Sequence, residues 1–308
     1  MNLKQTLYAC HQELGICGLH PDQVNSLPSK KPLEVYTFID PLCAQCWAIE
    51  PVLKKLQVEY GHYFKIRVLL AGKLQMWNDV CESLTKQAKK QQSHQNKHSL
   101  DPSMCCSGSV QFADQELEPY KASLAIKAAE LQGPKAGHRF LRKLREGLFL
   151  KKLNITDENV LLGCAREAKL DEDAFLFDLY STSAAKALQC DVRTTNEMDV
   201  DAVPTFVFFN DNSEDAGIKV SGTYSFSVYI RLLEDMLGYK PEKAKTISLE
   251  DFLQRYGFVA TVEVATVFDM CEEEAEKQLK ALMLQQKVEA VPFKYGTFWR
   301  YVKTSETK

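Results

Sequence analysis

Cys43 and Cys46 flank Ala44 and Gln45 in FIDPLCAQCWAIEP, the stretch from Phe38 to Pro51. Two intervening residues let the second sulfur reach the first and close a small disulfide. If Cys43 sits where a strand gives way to a helix, unpaired backbone N–H groups and the positive end of the helix favour its thiolate. Three chemistries fit: a working thiol-disulfide centre, half of a metal clip, or the remnant of a redox site now used as a binding surface. Neither Ala44 nor Gln45 carries a charge or an imidazole to help hold a thiolate, so the oxidising power of the pair is not legible here.

Two further groups of soft ligands stand out. Cys10, His11, Cys17 and His20 supply two thiols and two imidazoles, the donor set of a tetrahedral Zn²⁺ site. Their spacing is not that of a standard finger, and adjacent Cys10 and His11 have difficulty pointing at one metal; the alternative is a loose tail with reactive thiols. His94, His98, Cys105 and Cys106 repeat the theme more weakly in a polar stretch, where solvated histidines are the simpler reading. Cys81, Cys164, Cys190 and Cys271 lie on helical or helix-terminal segments and read as small packing residues. Trp47 and Phe38 read as core.

The elements that would position these residues follow from periodicity. LEVYTFI (33–39) is a buried strand rich in β-formers. A helix follows over 43–60, with a kink or break expected at Pro51, and FKIRVLLAG (64–72) is a second strand. A helical stretch near 76–90 leads into the unpatterned segment KKQQSHQNKHSLDPSMCCSGS, a loop. From about 119 to 192 the pattern is helical: Pro119 suits a first turn, Gly133-Pro134 separates two helices, Thr156 is the expected N-cap of the next, and Asp171 caps another. VPTFVFF (203–209) and GIKVSG (217–222) then pair as strands, and SFSVYIRLLEDML (225–237) is an amphipathic helix. The order β-α-β, helices, β-β-α is the thioredoxin order with a helical insertion. In that order Val203-Pro204-Thr205 opens the strand facing the Cys pair, which makes Pro204 the candidate cis-proline.

The expected organisation is an N-terminal Cys/His-containing segment at 1–31, a DsbA-like thioredoxin domain at 32–238 with its insertion at about 119–192, a polar linker at 239–247, and a small domain at 248–308. In the last, Ser248/Asp251 and Asp269/Glu272 stand at capping-box spacing. TVEVATVF is ambiguous between strand and helix, and KVEAVPFKYGTFWRYV reads as a hairpin turning at Gly296. Three short helices and a hairpin are the winged-helix layout. Its third helix would be the reading helix, but Glu272, Glu273, Glu274 and Glu276 crowd its start. Carboxylates facing phosphates oppose DNA binding. Of Phe293, Tyr295, Phe298, Trp299 and Tyr301, those not needed for the core would form an aromatic patch of the protein-binding kind.

With 308 residues, 45% apolar and 26% charged, the chain has the composition of a soluble protein large enough for two domains. A formal net charge of -3 argues against a nucleic-acid or anionic-membrane partner. The start, MNLKQTLYACHQELGICGLH, lacks the apolar run of a signal peptide, and the apolar run Val203 to Phe209 is too short to span a bilayer. The expected compartment is the cytosol, where ten cysteines are reduced, metal-bound or catalytic rather than a disulfide framework.

FIDPLCAQCWAIEP, YKASLAIKAAELQGPKAGHRFLRKLREGLFL, VPTFVFFN and the C-terminal FWRY together resemble the SpxH (YjbH) family of low-GC Gram-positive bacteria, over nearly the whole chain from Leu33 to Tyr301. The resemblance implies a non-enzymatic adaptor for the ClpXP protease that binds the transcriptional regulator Spx and accelerates its degradation. It also implies a DsbA-like thioredoxin domain followed by a winged helix, and an N-terminal segment that binds zinc in some members, with Cys10, His11, Cys17 and His20 as the candidates. Cys43 and Cys46, with the N-terminal thiols, would then serve as an oxidant-responsive element. The competing expectations are a DsbA- or FrnE-like oxidoreductase working through Cys43, and a DNA-binding regulator.

Overall fold

The computed structural model describes residues 31–71, 104, 118–212, 216–294 and 296–302, together with the backbone of 8–11 and 16–19. The last two ranges form an antiparallel pair, β1 (Tyr8–His11) and β2 (Ile16–Leu19).

The central sheet contains β3 (Leu33–Ile39), β4 (Phe64–Leu70), β5 (Thr205–Asn210) and β6 (Ile218–Ser221), in the order β4-β3-β5-β6. β3 and β4 run parallel, with Leu33 opposite Phe64, while β5 lies antiparallel to β3, with Val35 opposite Phe208. Strand alternation sends Leu33, Val35, Phe206 and Phe208 to one face, where they bury Ile49, Leu56, Tyr229 and Leu233. Phe38, Leu69 and Val207 form the other face with Val200. The first face is covered by α2 (Glu50–Tyr60) and α8 (Phe226–Leu237). Between β3 and α2 stands the short α1 (Ala44–Ala48). The helix break falls at Ile49, because Pro51 is tolerated in the first turn of α2 and there lacks only an N–H that would have no helical partner.

The insertion supplies α3 (Pro119–Leu131), α4 (Pro134–Arg145) ending in a π-helical turn (Glu146–Leu150), α5 (Glu158–Glu167), α6 (Glu172–Leu179) and α7 (Thr182–Glu197). Asp171 caps α6 by accepting the Ala174 N–H at 2.9 Å. The cap of α5 is Asp157 rather than Thr156. The Asp157 carboxylate accepts the N–H groups of Asn159 and Val160 at 2.9 and 3.2 Å. The Thr156 hydroxyl is engaged instead with the Asn154 side chain at 2.7 Å.

The C-terminal unit comprises α9 (Leu249–Tyr256), β7 (Phe258–Ala260), α10 (Thr261–Val267), α11 (Glu272–Leu284), β8 (Val288–Phe293) and β9 (Gly296–Tyr301), with sheet order β7-β9-β8. The ambiguous TVEVATVF is therefore helical in α10, entered from a three-residue strand. Ser248 caps α9, its hydroxyl accepting the Asp251 N–H at 3.0 Å. Cys271, not Asp269, holds the cap position of α11; Asp269 instead pairs with Lys55 of α2. A core of Phe252, Leu253, Val259, Val264, Leu279 and Trp299 closes the unit, and the Trp299 indole N–H donates to the Thr261 hydroxyl at 2.9 Å.

α10 packs on α2, and the joint is charged. Glu263 of α10 is 0% exposed. Its carboxylate accepts both Nη groups of Arg142 from α4 at 3.0 Å each, the Ala260 N–H at 2.7 Å, and the Lys54 ammonium of α2. Arg142 Nε also donates to Glu146 at 3.0 Å, and Arg145 reaches Glu50 at 2.8 Å. Burial by itself pushes the Glu263 carboxyl up, but Arg142 and Lys54 overcome it and hold the group at about 2, against an ordinary value of 4.5. Burial holds the Lys54 ammonium below its ordinary value, so Arg142 is the stronger counter-ion. Removing one member of a buried ion cluster strands the others, at a cost of about 3–5 kcal/mol. Glu263→Ala should lose that much stability in urea unfolding. Because the folded value is depressed, this stabilisation is present above pH 4.5 and fades as the pH falls toward 2. The stability gap between the native chain and Glu263→Gln should shrink across that range.

Candidate thiol site at the end of the central sheet

At the end of β3 the chain turns through Asp40, whose carboxylate accepts the Leu42 N–H at 2.7 Å and whose carbonyl accepts the Cys43 N–H at 3.2 Å. This turn presents Cys43 as the N-cap of α1, with extended backbone and its sulfur accepting the Cys46 N–H at 3.4 Å. Across from it the Val203–Pro204 peptide bond is cis. The Cys43 thiol donates to the Val203 carbonyl at 3.8 Å. The strand entry is fixed by the Gly222 N–H donating to the Pro204 carbonyl at 2.7 Å, and by the Thr205 hydroxyl donating to the Ala202 carbonyl, also at 2.7 Å. Cys43, Cys46 and Pro204 thus come together from segments far apart in the chain.

Both thiols are free, and they differ in character. The hydrogen bond from the Cys46 side chain lowers the Cys43 thiol against the opposing pull of burial and of Asp40. Burial, reinforced by Cys43 itself, pushes the Cys46 thiol well up, and Arg145 offsets only part of it. Cys43 is 8% exposed and Cys46 1%. The arrangement makes Cys43 the more acidic and the less enclosed of the two thiols. The backbone N–H groups of Cys46 and Gln45 at the start of α1 add to the lowering of the Cys43 thiol.

Trp47, next to Cys46, is fully buried. Its ring stacks on Phe149 at 5.7 Å and on Phe298 of β9 at 6.5 Å, with the Arg142 guanidinium 4.4 Å from its centre. The hairpin aromatics are accordingly used inside the molecule. Phe258 stacks on Phe298 at 5.1 Å, Phe293 meets it edge-on at 5.5 Å, and Trp299 fills the C-terminal core. Tyr295 lies outside the described residues. Arg142 and Lys54 carried no signal in the sequence, where each looks like an ordinary charge on a helix surface. Glu263 alone had a local clue, its place three residues after the Ala260 cap, where its carboxylate reaches back to the Ala260 N–H.

The other cysteines divide. Cys164 is a packing residue, its thiol pushed up by burial to about 11. Cys190 and Cys271 are exposed, which corrects the packing reading for both: one stands on the outer side of α7, the other at a helix cap. Of the N-terminal metal candidates, the β1–β2 register sets Cys10 directly across from Cys17, and His11 across from Ile16. His20 lies outside the described residues, as do Cys81, His94, His98, Cys105 and Cys106. Among the described residues no cluster of three or more His, Cys, Asp or Glu side chains could hold a metal ion, and no helix is long and apolar enough to cross a membrane.

The sheet order, the thiol pair ahead of a helix and the facing cis-proline define a thioredoxin-fold protein with a helical insertion. Residues 36–231 match the family model described as Thioredoxin. A solved structure from Nitrosomonas europaea, a candidate protein disulfide isomerase, superposes with a TM-score of 0.52 at 14% identity, covering 68% of this chain and 98% of that one, which shows the fold. The chain is 65% identical to the "ClpXP adapter protein SpxH" of Shouchella clausii, over 98% of its own length and all of the relative's. It is 45% identical to the Bacillus subtilis protein of the same name, over 98% and 96% of the two lengths. The chain therefore belongs to the Thioredoxin family and, within it, to the SpxH family.

The unequal thiols set an order of reaction. Iodoacetamide at neutral pH should label Cys43 well before Cys46 in the folded chain, and denaturant should abolish the difference. Peptide mapping by mass spectrometry checks this, and labelling of both at one rate would contradict the geometry.

Proposed function

We propose that this chain is a cytoplasmic adaptor that binds the regulator Spx and hands it to the ClpXP protease, without itself making or breaking a covalent bond in its client. The observation that carries the reading is the end-to-end match to a ClpXP adapter protein at 65% identity. Identity of that kind includes the C-terminal unit, which the Thioredoxin match, ending at residue 231, does not reach. An adaptor works by coupled binding: a client held on a second surface meets the protease at a raised effective concentration. That requires a surface of fixed shape, and the Glu263–Arg142–Lys54 cluster locks thioredoxin sheet, insertion and C-terminal unit into one. A DNA-binding role is opposed by Glu273 and Glu274, which stand exposed at the start of α11.

A second reading, thiol-disulfide exchange with a client, is favoured by one observation, the lowered Cys43 thiol beside the Val203 carbonyl. At the N-terminus, Cys10 and Cys17 with His11 and His20 are the residues that would hold a zinc ion, whose binding would tie β1 to β2.

With purified ClpXP, Spx should be degraded several-fold faster when the chain is added, under reducing conditions. The double variant Cys43→Ala, Cys46→Ala should retain most of that acceleration. Loss of it, together with Cys43-dependent reduction of insulin by the native chain, would replace the adaptor reading with the oxidoreductase one.

A further inference from the structure

The C-terminal unit is seated on the thiol motif itself. Trp47 follows Cys46 directly in α1, and its ring is stacked with both Phe149 of the insertion and Phe298 of β9. Above the ring stands Arg142, whose guanidinium fork is held by Glu263 of α10. Ala260, Val262 and Phe298 belong to the same continuous buried cluster as Cys43, Cys46 and Trp47. One short helix therefore carries both the second thiol and the aromatic ring on which the C-terminal unit rests.

We propose that the thiol state of Cys43 and Cys46 is thermodynamically linked to the seating of the C-terminal unit: the dithiol favours the seated unit and the disulfide loosens it. The direction follows from the packing. The seated arrangement occurs with both thiols free and hydrogen-bonded. Closing the bond draws the two sulfurs from hydrogen-bonding to covalent distance. Cys46, at 1% exposure, is enclosed in the same buried cluster as Trp47, Phe298 and Val262, so its movement is shared with that packing. α1 moves with it and shifts Trp47 against Phe149 and Phe298, because close-packed interiors transmit small displacements. In the chemical step, the Cys43 thiolate attacks a small-molecule disulfide and releases one thiol. The Cys46 sulfur then displaces the second, so the pair loses two electrons and two protons and the oxidant becomes two thiols. By linkage, whatever oxidation does to the seating, the seating does to oxidation by the same factor.

The test uses neither client nor protease, so its outcome is independent of the adaptor reading. The full chain is equilibrated in reduced and in oxidised glutathione, closure of Cys43–Cys46 is verified by peptide mapping, and amide hydrogen exchange is compared. In the oxidised chain, amides of α10 and β9 should exchange faster by about fivefold or more, while those of α9 and of β3 stay as they were. In the reciprocal arm, Phe298→Ala should shift the thiol-disulfide equilibrium of the pair toward the disulfide by a similar factor. Phe298→Leu serves if the alanine variant does not fold, with a smaller shift in the same direction. The oxidant effect should vanish in Cys46→Ser. Equal exchange in the two states, slower exchange on oxidation, persistence of the effect in Cys46→Ser, or failure of the pair to close in any glutathione mixture would each overturn the proposal.

Discussion

One buried carboxylate, Glu263, ties three parts of the molecule together at a single point. Glu263 gives up its water completely, which is costly for a charge, and is compensated by a two-pronged guanidinium, an ammonium and a backbone N–H converging on it. The donors come from three places: Arg142 from the insertion, Lys54 from the helix after the thiol motif, Ala260 from the C-terminal unit itself. A buried, hydrogen-bonded charge adds a directional constraint to the apolar packing, because each displacement leaves a group unpaired in a medium that cannot solvate it.

That fixed joint explains the placement of the aromatic residues. Phe298, Phe258 and Phe293 cluster on one another, and Phe298 reaches Trp47. Arg142 serves both parts of the interface, one edge of its fork paired with Glu263 and its plane over the indole. The thiol pair lies at the border of this assembly. Its first sulfur faces the cis-proline loop, and its second is enclosed. A second unit thus leans on the short helix that carries the thiol pair, and that helix is part of the joint.

Much of this was legible in the chain. LEVYTFI, FKIRVLL and TFVFF are strands because β-branched and aromatic side chains at period two fill a pleated, buried surface. Asp171 and Ser248 announce helix starts because their side chains satisfy backbone donors a few residues on. The thiol pair and Pro204 were legible for the same kind of reason, a motif at a strand end and a proline opening a later strand. Errors occurred where two local solutions compete: Thr156 against Asp157, and Asp269 against Cys271. In the second pair the residue with the better capping chemistry was drawn away by a cation from another helix.

What the sequence determined by itself is therefore local: periodicity, caps, turns and the spacing of two thiols, all governed by neighbours a few bonds away. What only the tertiary structure decided is which distant groups share the interior. Arg142 and Glu263 are 121 positions apart, and Cys43 and Val203 are 160 apart. Nothing in the types or spacing of Arg142, Lys54 or Glu263 separates a buried ion cluster from a solvated helix surface. The difference is desolvation, and desolvation exists only once the rest of the chain has closed over the charge.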